Sequence, residues 1–219
     1  GVFCEGAPTW EKASIATPSL DGQALRCALT GGQPYSNAHF YRNLEPAPAA
    51  STFTLTLSFY FSPTTTCNNQ GSPSAVQAIE FTMNKWHQSY RYEFALQWQN
   101  VGNGAPQWRY WDPHAAPDPW VAFSPPITQC QSGETWHTLM LSGQIADGYT
   151  HYQGFAIDGN WHAHDSTAAP AYVPGEPDRL AVAVQLDGNA THTPYEVIVD
   201  RVHLVHKPID QVHLPIVLK

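Results

Sequence analysis

Polar and apolar residues alternate along two neighbouring segments of the chain, residues 76–86 and 89–100. Successive side chains of a β-strand point to opposite faces, so each segment is predicted to be a strand that buries one row and presents the other. The rows predicted to be buried are Ile79, Phe81 and Met83 in the first strand and Tyr92, Phe94, Leu96 and Trp98 in the second. The short gap between the segments predicts a β-hairpin.

The turn of this hairpin is expected at His87-Gln88, which fixes how the two strands pair. In that register Glu80 lies opposite Ala95, and Thr82 lies opposite Glu93. The outward face is then an exposed patch of carboxylates, amides and small side chains. Such a face suits hydrogen bonding to sugar hydroxyls. A solvated outer sheet face without a ligand is the alternative interpretation.

Alternation of the same kind recurs through the rest of the chain, interrupted by prolines and by Asp-Gly pairs that favour tight turns. It predicts further strands at residues 23–30, 39–44, 51–62, 107–111, 120–124, 134–145, 150–158, 160–165, 179–187 and 195–206. No segment of ten or more residues has helical periodicity. The sequence therefore predicts an all-β fold, a two-sheet antiparallel β-sandwich with jelly-roll topology, formed as a single domain by residues 1–206.

The composition supports this fold class and argues against several partners. Charged residues make up 13% of the 219 residues, whereas 19 prolines and 15 glycines supply many turns. The net charge is −8 and the lysines and arginines are scattered, so no basic surface for nucleic acid is expected. No long apolar run occurs, so insertion into a membrane is not expected either.

Four cysteines, Cys4, Cys27, Cys67 and Cys130, lack the spacing of a zinc site. In a chain poor in lysine they predict two disulfides in an exported protein, with free thiols in a cytosolic protein as the alternative. Three connectivities are open. We favour Cys4–Cys27, which ties down an N-terminal arm of residues 1–22, together with Cys67–Cys130. Because the sequence starts at Gly1 without an initiator Met, we expect a mature form whose signal peptide has been removed.

Aromatic and amide side chains are concentrated between residues 86 and 120. Aromatic rings stack on the apolar faces of sugars, while amides and carboxylates satisfy the hydroxyls. Core packing is the alternative for any single tryptophan, and alternation assigns Trp98 to the core. The predicted ligand-binding residues are Glu80, Asn84, Trp86, Glu93, Gln97, Gln99, Arg109, Trp111 and Gln185.

Three stretches of the C-terminal half share a pattern with a known group: residues 133–139 (GETWHTL), 152–159 (YQGFAIDG) and 195–202 (YEVIVDRV). In them the chain resembles the concanavalin A-like lectin/glucanase superfamily. The resemblance implies two stacked antiparallel sheets, of which the concave one often forms a sugar-binding groove. No cofactor is expected. The resemblance implies at most a structural calcium, which often braces these sandwiches, with Asp200 as the candidate ligand.

The polar face also offers an enzymatic alternative, a glycoside hydrolase or lyase that uses Glu80 and Glu93. A hydrolase needs two carboxylates across the sugar, and in the predicted register these two residues are diagonal neighbours about 7 Å apart. The family-16 glucanases of the superfamily, however, place further acids where this strand has Thr82 and Asn84. The alginate-lyase pattern of Arg, Gln, His and Tyr is not recognisable. The sequence therefore favours a non-catalytic protein that binds a glycan.

The last residues, 207–219, form an apolar tail that ends in LPIVLK. This ending resembles those of exported proteins of Chloroflexi-type bacteria, which favours a secreted or cell-surface protein. A β-prone terminus is suited to adding a strand to the open sheet edge of a second copy. A filament or surface layer assembled in this way is the alternative function, and its candidate residues are Val212, Leu214, Ile216, Val217 and Leu218.

Overall fold

The computed structural model describes residues 1–44, 51–63, 76–102 and 105–207. Within these ranges the chain forms β-strands and no helix, and hence no helix long enough to cross a membrane. The strands, numbered in chain order, are β1 (Val2–Glu5), β2 (Thr9–Ile15), β3 (Ala24–Gly31), β4 (Asn37–Leu44), β5 (Thr52–Ser62), β6 (Val76–His87), β7 (Tyr90–Gln99), β8 (Gln107–Trp111), β9 (Trp120–Ala122), β10 (His137–Ala146), β11 (Tyr149–Ile157), β12 (Asn160–Ala168), β13 (Ala171–Tyr172), β14 (Arg179–Gly188) and β15 (Tyr195–Lys207).

The strands form two antiparallel sheets, which confirms the predicted sandwich. The front sheet has the order β1-β4-β14-β6-β7-β8-β9, and the short strand β13 pairs with the start of β7. The back sheet has the order β12-β11-β10-β5-β15-β3-β2. In both sheets a late strand lies between early ones: β14 separates β4 from β6, and β15 separates β5 from β3. These insertions bring residues that are far apart in the sequence into register.

The hydrophobic core lies between the sheets, where alternate side chains of each strand meet. The ring centroids of Phe59 and Phe81 are 4.8 Å apart, and those of Phe61 and Trp98 are 5.3 Å apart, so β5 packs against the β6–β7 hairpin. The predicted burial is confirmed for every member of the two rows except Tyr92, which is partly exposed. The prediction from the alternating pattern is therefore confirmed: one face of the hairpin lies in the core and the other lies on the outside of the sandwich.

The predicted register of this hairpin is wrong by two residues. The turn lies at Gln88-Ser89, whose φ angles are 49° and 66°, and not at His87-Gln88. Glu80 consequently pairs with Gln97. Left-handed turn positions favour Asn and Gly, and neither is present, so the sequence contains no signal for the turn. Because the shift is even, every side chain keeps its predicted face.

The N-terminal arm is held by strand pairing, and the predicted Cys4–Cys27 disulfide is wrong. Strand β1 pairs with β4 at the edge of the front sheet, whereas β2 pairs with β3 at the edge of the back sheet. Cys4 lies on β1 and Cys27 on β3, so the two thiols belong to different sheets, and both are free. Backbone ladders supply the attachment that the cysteines were expected to supply.

Two further predictions involve residues outside the described ranges. Cys130 is disulfide-bonded, but its predicted partner Cys67 lies outside them, so this pairing stays a prediction. The assembly residues of the tail, from Val212 to Leu218, also lie outside the described residues. Assembly through the tail therefore stays a prediction as well.

Candidate functional site

The outer face of the front sheet forms a groove of about 850 Å³ that runs across the strands. Its floor is polar yet buried: the exposed fractions of Glu80, Gln97 and Gln185 are 5%, 3% and 7%. The prediction that this face is exposed is therefore wrong, because its polar side chains contact one another: Gln97 with Glu80 and Arg109, and Gln185 with Asp187. Strand pairing arranges the groove residues in three parallel rows.

The first row, here called the acid row, consists of His39 on β4, Gln185 on β14, Glu80 on β6, Gln97 on β7 and Arg109 on β8. Gln97 Nε2 donates a hydrogen bond to Glu80 Oε1 (2.7 Å), and Arg109 Nε donates to Gln97 Oε1 (2.8 Å). These contacts hold the three side chains in fixed orientations across neighbouring strands. The row therefore presents a rigid hydrogen-bonding surface.

The second row, here called the trough, has small side chains at its centre and aromatic ones at its ends. It consists of Tyr41 on β4, Ala183 on β14, Thr82 on β6, Ala95 on β7 and Trp111 on β8. Strands are spaced by about 4.8 Å, so the trough is roughly 19 Å long from the first strand to the last. The small residues leave room for a ligand to approach the sheet.

The third row, here called the amide row, consists of Asn43 on β4, Ala181 on β14, Asn84 on β6 and Glu93 on β7. Arg91 Nη2 lies 2.9 Å from Glu93 Oε2, in an ion pair that continues the row. Burial raises the pKa of Glu93, whereas Arg91 and a hydrogen bond from Asn84 act in the opposite direction. The trough is therefore flanked on both sides by hydrogen-bonding rows.

Glu80 also contacts Asp187 on the neighbouring strand β14, so two carboxyl groups share the floor of the groove. Burial, followed by the negative charge of Asp187, raises the pKa of Glu80 well above its usual range. Burial raises the pKa of Asp187 to about 6. Of the two carboxyl groups, Glu80 is therefore the one that retains a proton to the higher pH, and it donates a hydrogen bond to Asp187.

Two buried tyrosines of the back sheet support the groove from below. The Tyr152 hydroxyl accepts a hydrogen bond from Ala95 N (3.0 Å) and donates one to the Trp111 carbonyl oxygen (3.0 Å), where β7 and β8 separate. The Tyr195 hydroxyl lies 3.0 Å from the Asp187 carbonyl oxygen, at the irregularity between β14 and β6. Each tyrosine satisfies backbone groups that the ladder leaves open, and so fixes one end of the groove.

Several solved structures have a similar architecture. An endo-β-1,4-glucuronan lyase from the fungus Trichoderma reesei aligns with a TM-score of 0.60 at 14% identity, over 94% of this chain and 90% of that one. The cellulose-induced protein Cip1 aligns with a TM-score of 0.55 at 8% identity, over 93% and 90%. The fold is the concanavalin A-like jelly roll.

A third structure with this jelly roll is the alginate lyase Aly36B in complex with an alginate trisaccharide. It aligns with a TM-score of 0.50 at 11% identity, over 94% of this chain and 98% of that one. The sequence matches no model of a protein family and no curated protein. The comparisons therefore establish the jelly-roll fold. The chemistry of the groove has to be inferred from the groove residues themselves.

The structure brings all the predicted ligand-binding residues into the groove of the jelly roll except Gln99. Gln99 instead accepts a hydrogen bond from Gln107 Nε2 (2.9 Å) and donates one to the Val101 carbonyl oxygen. The groove residues that the sequence prediction missed include Phe3, Asn37, His39, Tyr41, Arg91, Trp120, Arg179 and Asp187. Alternation along the strands was a sufficient signal for Arg91 and Asp187, because they share faces with Glu93 and Gln185.

The corrected register separates Glu80 from Glu93. Glu93 on β7 pairs with Asn84, which lies four residues from Glu80 along β6. The α-carbons of Glu80 and Glu93 are therefore roughly 14 Å apart, and not about 7 Å. Their side chains also turn away from each other, since Glu80 contacts Asp187 and Glu93 contacts Arg91. Hydrolases that use two carboxylates hold them across one sugar bond, at roughly 5 to 10 Å. This pair does not have the spacing that the enzymatic alternative requires.

Asp200, the candidate calcium ligand, has both carboxylate oxygens engaged. Oδ2 accepts hydrogen bonds from Leu20 N (2.6 Å) and Ser19 Oγ (3.0 Å), and Oδ1 accepts one from Arg201 N (2.7 Å). These bonds fasten the loop between β2 and β3 to β15. Among the described residues no group of three potential metal ligands is found.

Proposed function

We propose that the groove of the front sheet binds a glycan chain that lies across the strands, over the trough. The observation that carries this proposal is the order of the rows. A line of small residues, Ala183, Thr82 and Ala95, runs between two hydrogen-bonding rows and ends at Tyr41 and Trp111. A linear, hydroxyl-rich chain has the matching shape, because its ring faces are apolar and its edges are polar.

The ends of the trough suit sugar rings. Tyr41 is 38% exposed at one end, and Trp111 packs against Trp120 at the other, with ring centroids 5.1 Å apart. A tryptophan that is already packed and oriented presents its ring face to a sugar without losing rotamer freedom on binding. The side chains of the acid row are likewise held in place by hydrogen bonds before a ligand binds, so they lose little conformational entropy on binding.

The comparisons support a polysaccharide as the ligand class. One similar structure is a glucuronan lyase and another holds an alginate trisaccharide. We propose binding without cleavage for this chain, because Glu80 and Glu93 lack the spacing of a hydrolytic pair. We also propose an extracellular or cell-surface location, which the disulfide-bonded state of Cys130 supports.

Substitution of the two terminal aromatic residues tests the proposal. We expect Tyr41→Ala and Trp111→Ala each to weaken binding of β-1,4-linked oligosaccharides by about tenfold, the equivalent of about 1.4 kcal/mol of lost stacking. Isothermal titration calorimetry measures the affinities. Tyr149→Ala and Trp161→Ala are matched controls, since these residues are 48% and 47% exposed on the back sheet. Equal losses in the groove and control variants would place the binding site elsewhere.

A further inference from the structure

Apart from Glu93 Oε2, which lies in the ion pair with Arg91, four side-chain atoms of the groove are buried without a hydrogen-bond partner among the described residues. Two are acceptors, Asn37 Oδ1 and Asn84 Oδ1, and two are N–H donors, Arg91 Nε and Trp111 Nε1. Asn84 as a whole is only 8% exposed. A buried polar atom without a partner is destabilising by about 1–3 kcal/mol, and such atoms are rare in folded proteins. Because all four line one groove, a ligand that binds there can supply the partners.

The orientation of the Asn84 amide is fixed by its neighbours. Its Nδ2 group donates to the Glu93 carboxylate and lies 3.5 Å from Thr82 Oγ1. Rotation of the amide by half a turn would set its oxygen against the Glu93 carboxylate, which repels it. Asn84 Oδ1 therefore stays directed away from Glu93 and requires a hydrogen-bond donor from the ligand.

The arginines of the groove are already paired. Arg91 pairs with Glu93 at 2.9 Å, Arg109 with Asp118 at 2.8 Å and Arg179 with Glu176 at 2.5 Å. The Arg179 guanidinium also lies 3.9 Å from the centre of the Trp86 ring. Except at Arg91 Nε, a ligand carboxylate would therefore compete with a carboxylate of the protein for these arginines.

The remaining charge of the groove is negative. Asp187, whose pKa is about 6, and Glu5 on β1 carry this charge, while Arg109 acts on Asp187 in the opposite direction. A ligand carboxylate would face these groups at short range in a poorly solvated site, where like charges repel strongly.

We propose that the groove selects an uncharged, hydroxyl-rich glycan over a polyuronate. A sugar hydroxyl both donates and accepts, so it satisfies Asn84 Oδ1 and Arg91 Nε alike, whereas a carboxylate only accepts. This inference rests on the proposed function and names its ligand class. It separates this chain from the two lyases that share its fold, whose names refer to glucuronan and alginate.

Matched oligosaccharides of equal length test the inference. β-1,4-linked glucose is compared with β-1,4-linked glucuronic acid, and β-1,4-linked mannose with β-1,4-linked mannuronic acid, since each pair differs only at C6. Calorimetry at neutral pH and low salt is expected to give about tenfold or greater preference for the neutral member of the pair that binds. Equal or tighter binding of the uronate overturns the inference and leaves the proposed function standing. Absence of binding by all four contradicts the proposed function itself.

A pair of variants in the amide row tests the role of Asn84. Asn84→Ala removes the unpartnered acceptor and is expected to weaken binding of the neutral oligosaccharide several-fold, while the uronate is little affected. Asn43→Ala is the control, because Asn43 lies in the same row but is exposed. Equal effects of the two variants on the neutral ligand would contradict the assignment of Asn84. If Asn84→Ala does not fold, the wild-type comparison of matched oligosaccharides still decides the inference.

Discussion

Glu80 and Asp187 lie in contact on the floor of a groove where a negative charge is poorly solvated. The pair is stable because one proton remains on Glu80, and because Gln185 Nε2 donates a hydrogen bond to Asp187 Oδ1 (2.6 Å). Gln97 donates to Glu80 from the other side. Each oxygen that loses water thereby gains a protein partner, which is the condition for burying carboxyl groups.

The carboxyl pair predicts how stability depends on pH. Both pKa values are higher in the folded protein than in the unfolded chain, where an Asp titrates near 4, so the folded state binds more protons. The contribution of the pair to stability is therefore complete below about pH 4. The part due to Asp187 is lost as the pH rises through about 6, and the part due to Glu80 is lost as the pH rises through the raised pKa of Glu80. We expect the double variant Glu80→Gln/Asp187→Asn to lack this loss.

Urea unfolding of the wild type and the double variant at a series of pH values measures this effect. The difference between the two free energies of unfolding should grow in favour of the variant as the pH rises above 5. Asp147→Asn, at an exposed position in the turn between β10 and β11, serves as the control for the loss of a carboxylate that is not buried. Parallel profiles for the wild type and the double variant would show that the pair does not titrate as described.

At the scale of single elements, the β6–β7 turn places Ser89 at a positive φ of 66°. The left-handed conformation costs an L-residue about 1–2 kcal/mol, and glycine adopts it freely. We expect Ser89→Gly to raise the free energy of unfolding by about 1 kcal/mol. Ser89→Ala keeps the Cβ and should give no comparable gain. Thermal unfolding compares the two, and equal midpoints would contradict this account of the turn.

A second prediction for single elements concerns the contact between β11 and the end of the β7–β8 ladder, where the two strands separate. Tyr152→Phe removes the hydroxyl that bonds Ala95 N and the Trp111 carbonyl oxygen. We expect it to destabilise the fold by about 1–3 kcal/mol, because two buried backbone groups lose their partner. Glycan affinity should fall as well, since the backbone beneath Trp111 is released.

Tyr149→Phe is the matched control for this prediction. Tyr149 lies at the start of the same strand and is 48% exposed, so loss of its hydroxyl should change neither stability nor affinity. Unchanged stability in Tyr152→Phe would mean that its hydroxyl does not support the ladder.

Individual elements were largely predictable because the alternation is strong. In β5, phenylalanine and leucine alternate mainly with threonine and serine, which predicts a strand with one buried face. Pro63 marks the end of this strand. Strand β1 was missed because its four residues are too few to show a polar–apolar alternation, and β2 was missed because its residues are mostly exposed at a sheet edge. The short strand β13 was missed because two residues cannot form a pattern.

At the scale of the whole molecule, the order of strands in each sheet could not be predicted from the sequence. Alternation assigns Glu80 and Gln185 to outward faces but does not place them side by side. Their pairing depends on the insertion of β14 between β4 and β6, which buries the apolar side of β14 in the core. For the same reason His39 and Tyr41 could not be assigned to the groove, although their strand was predicted.

The central claim is that a glycan lies across the strands over the trough, and Ala183→Trp tests it most directly. A large side chain at Ala183 fills the trough between Tyr41 and Thr82. Calorimetric titration with the β-1,4-linked oligosaccharide that the wild type binds should give no measurable binding to the variant, while the thermal midpoint stays within a few degrees. Wild-type affinity in a folded Ala183→Trp variant would contradict the account.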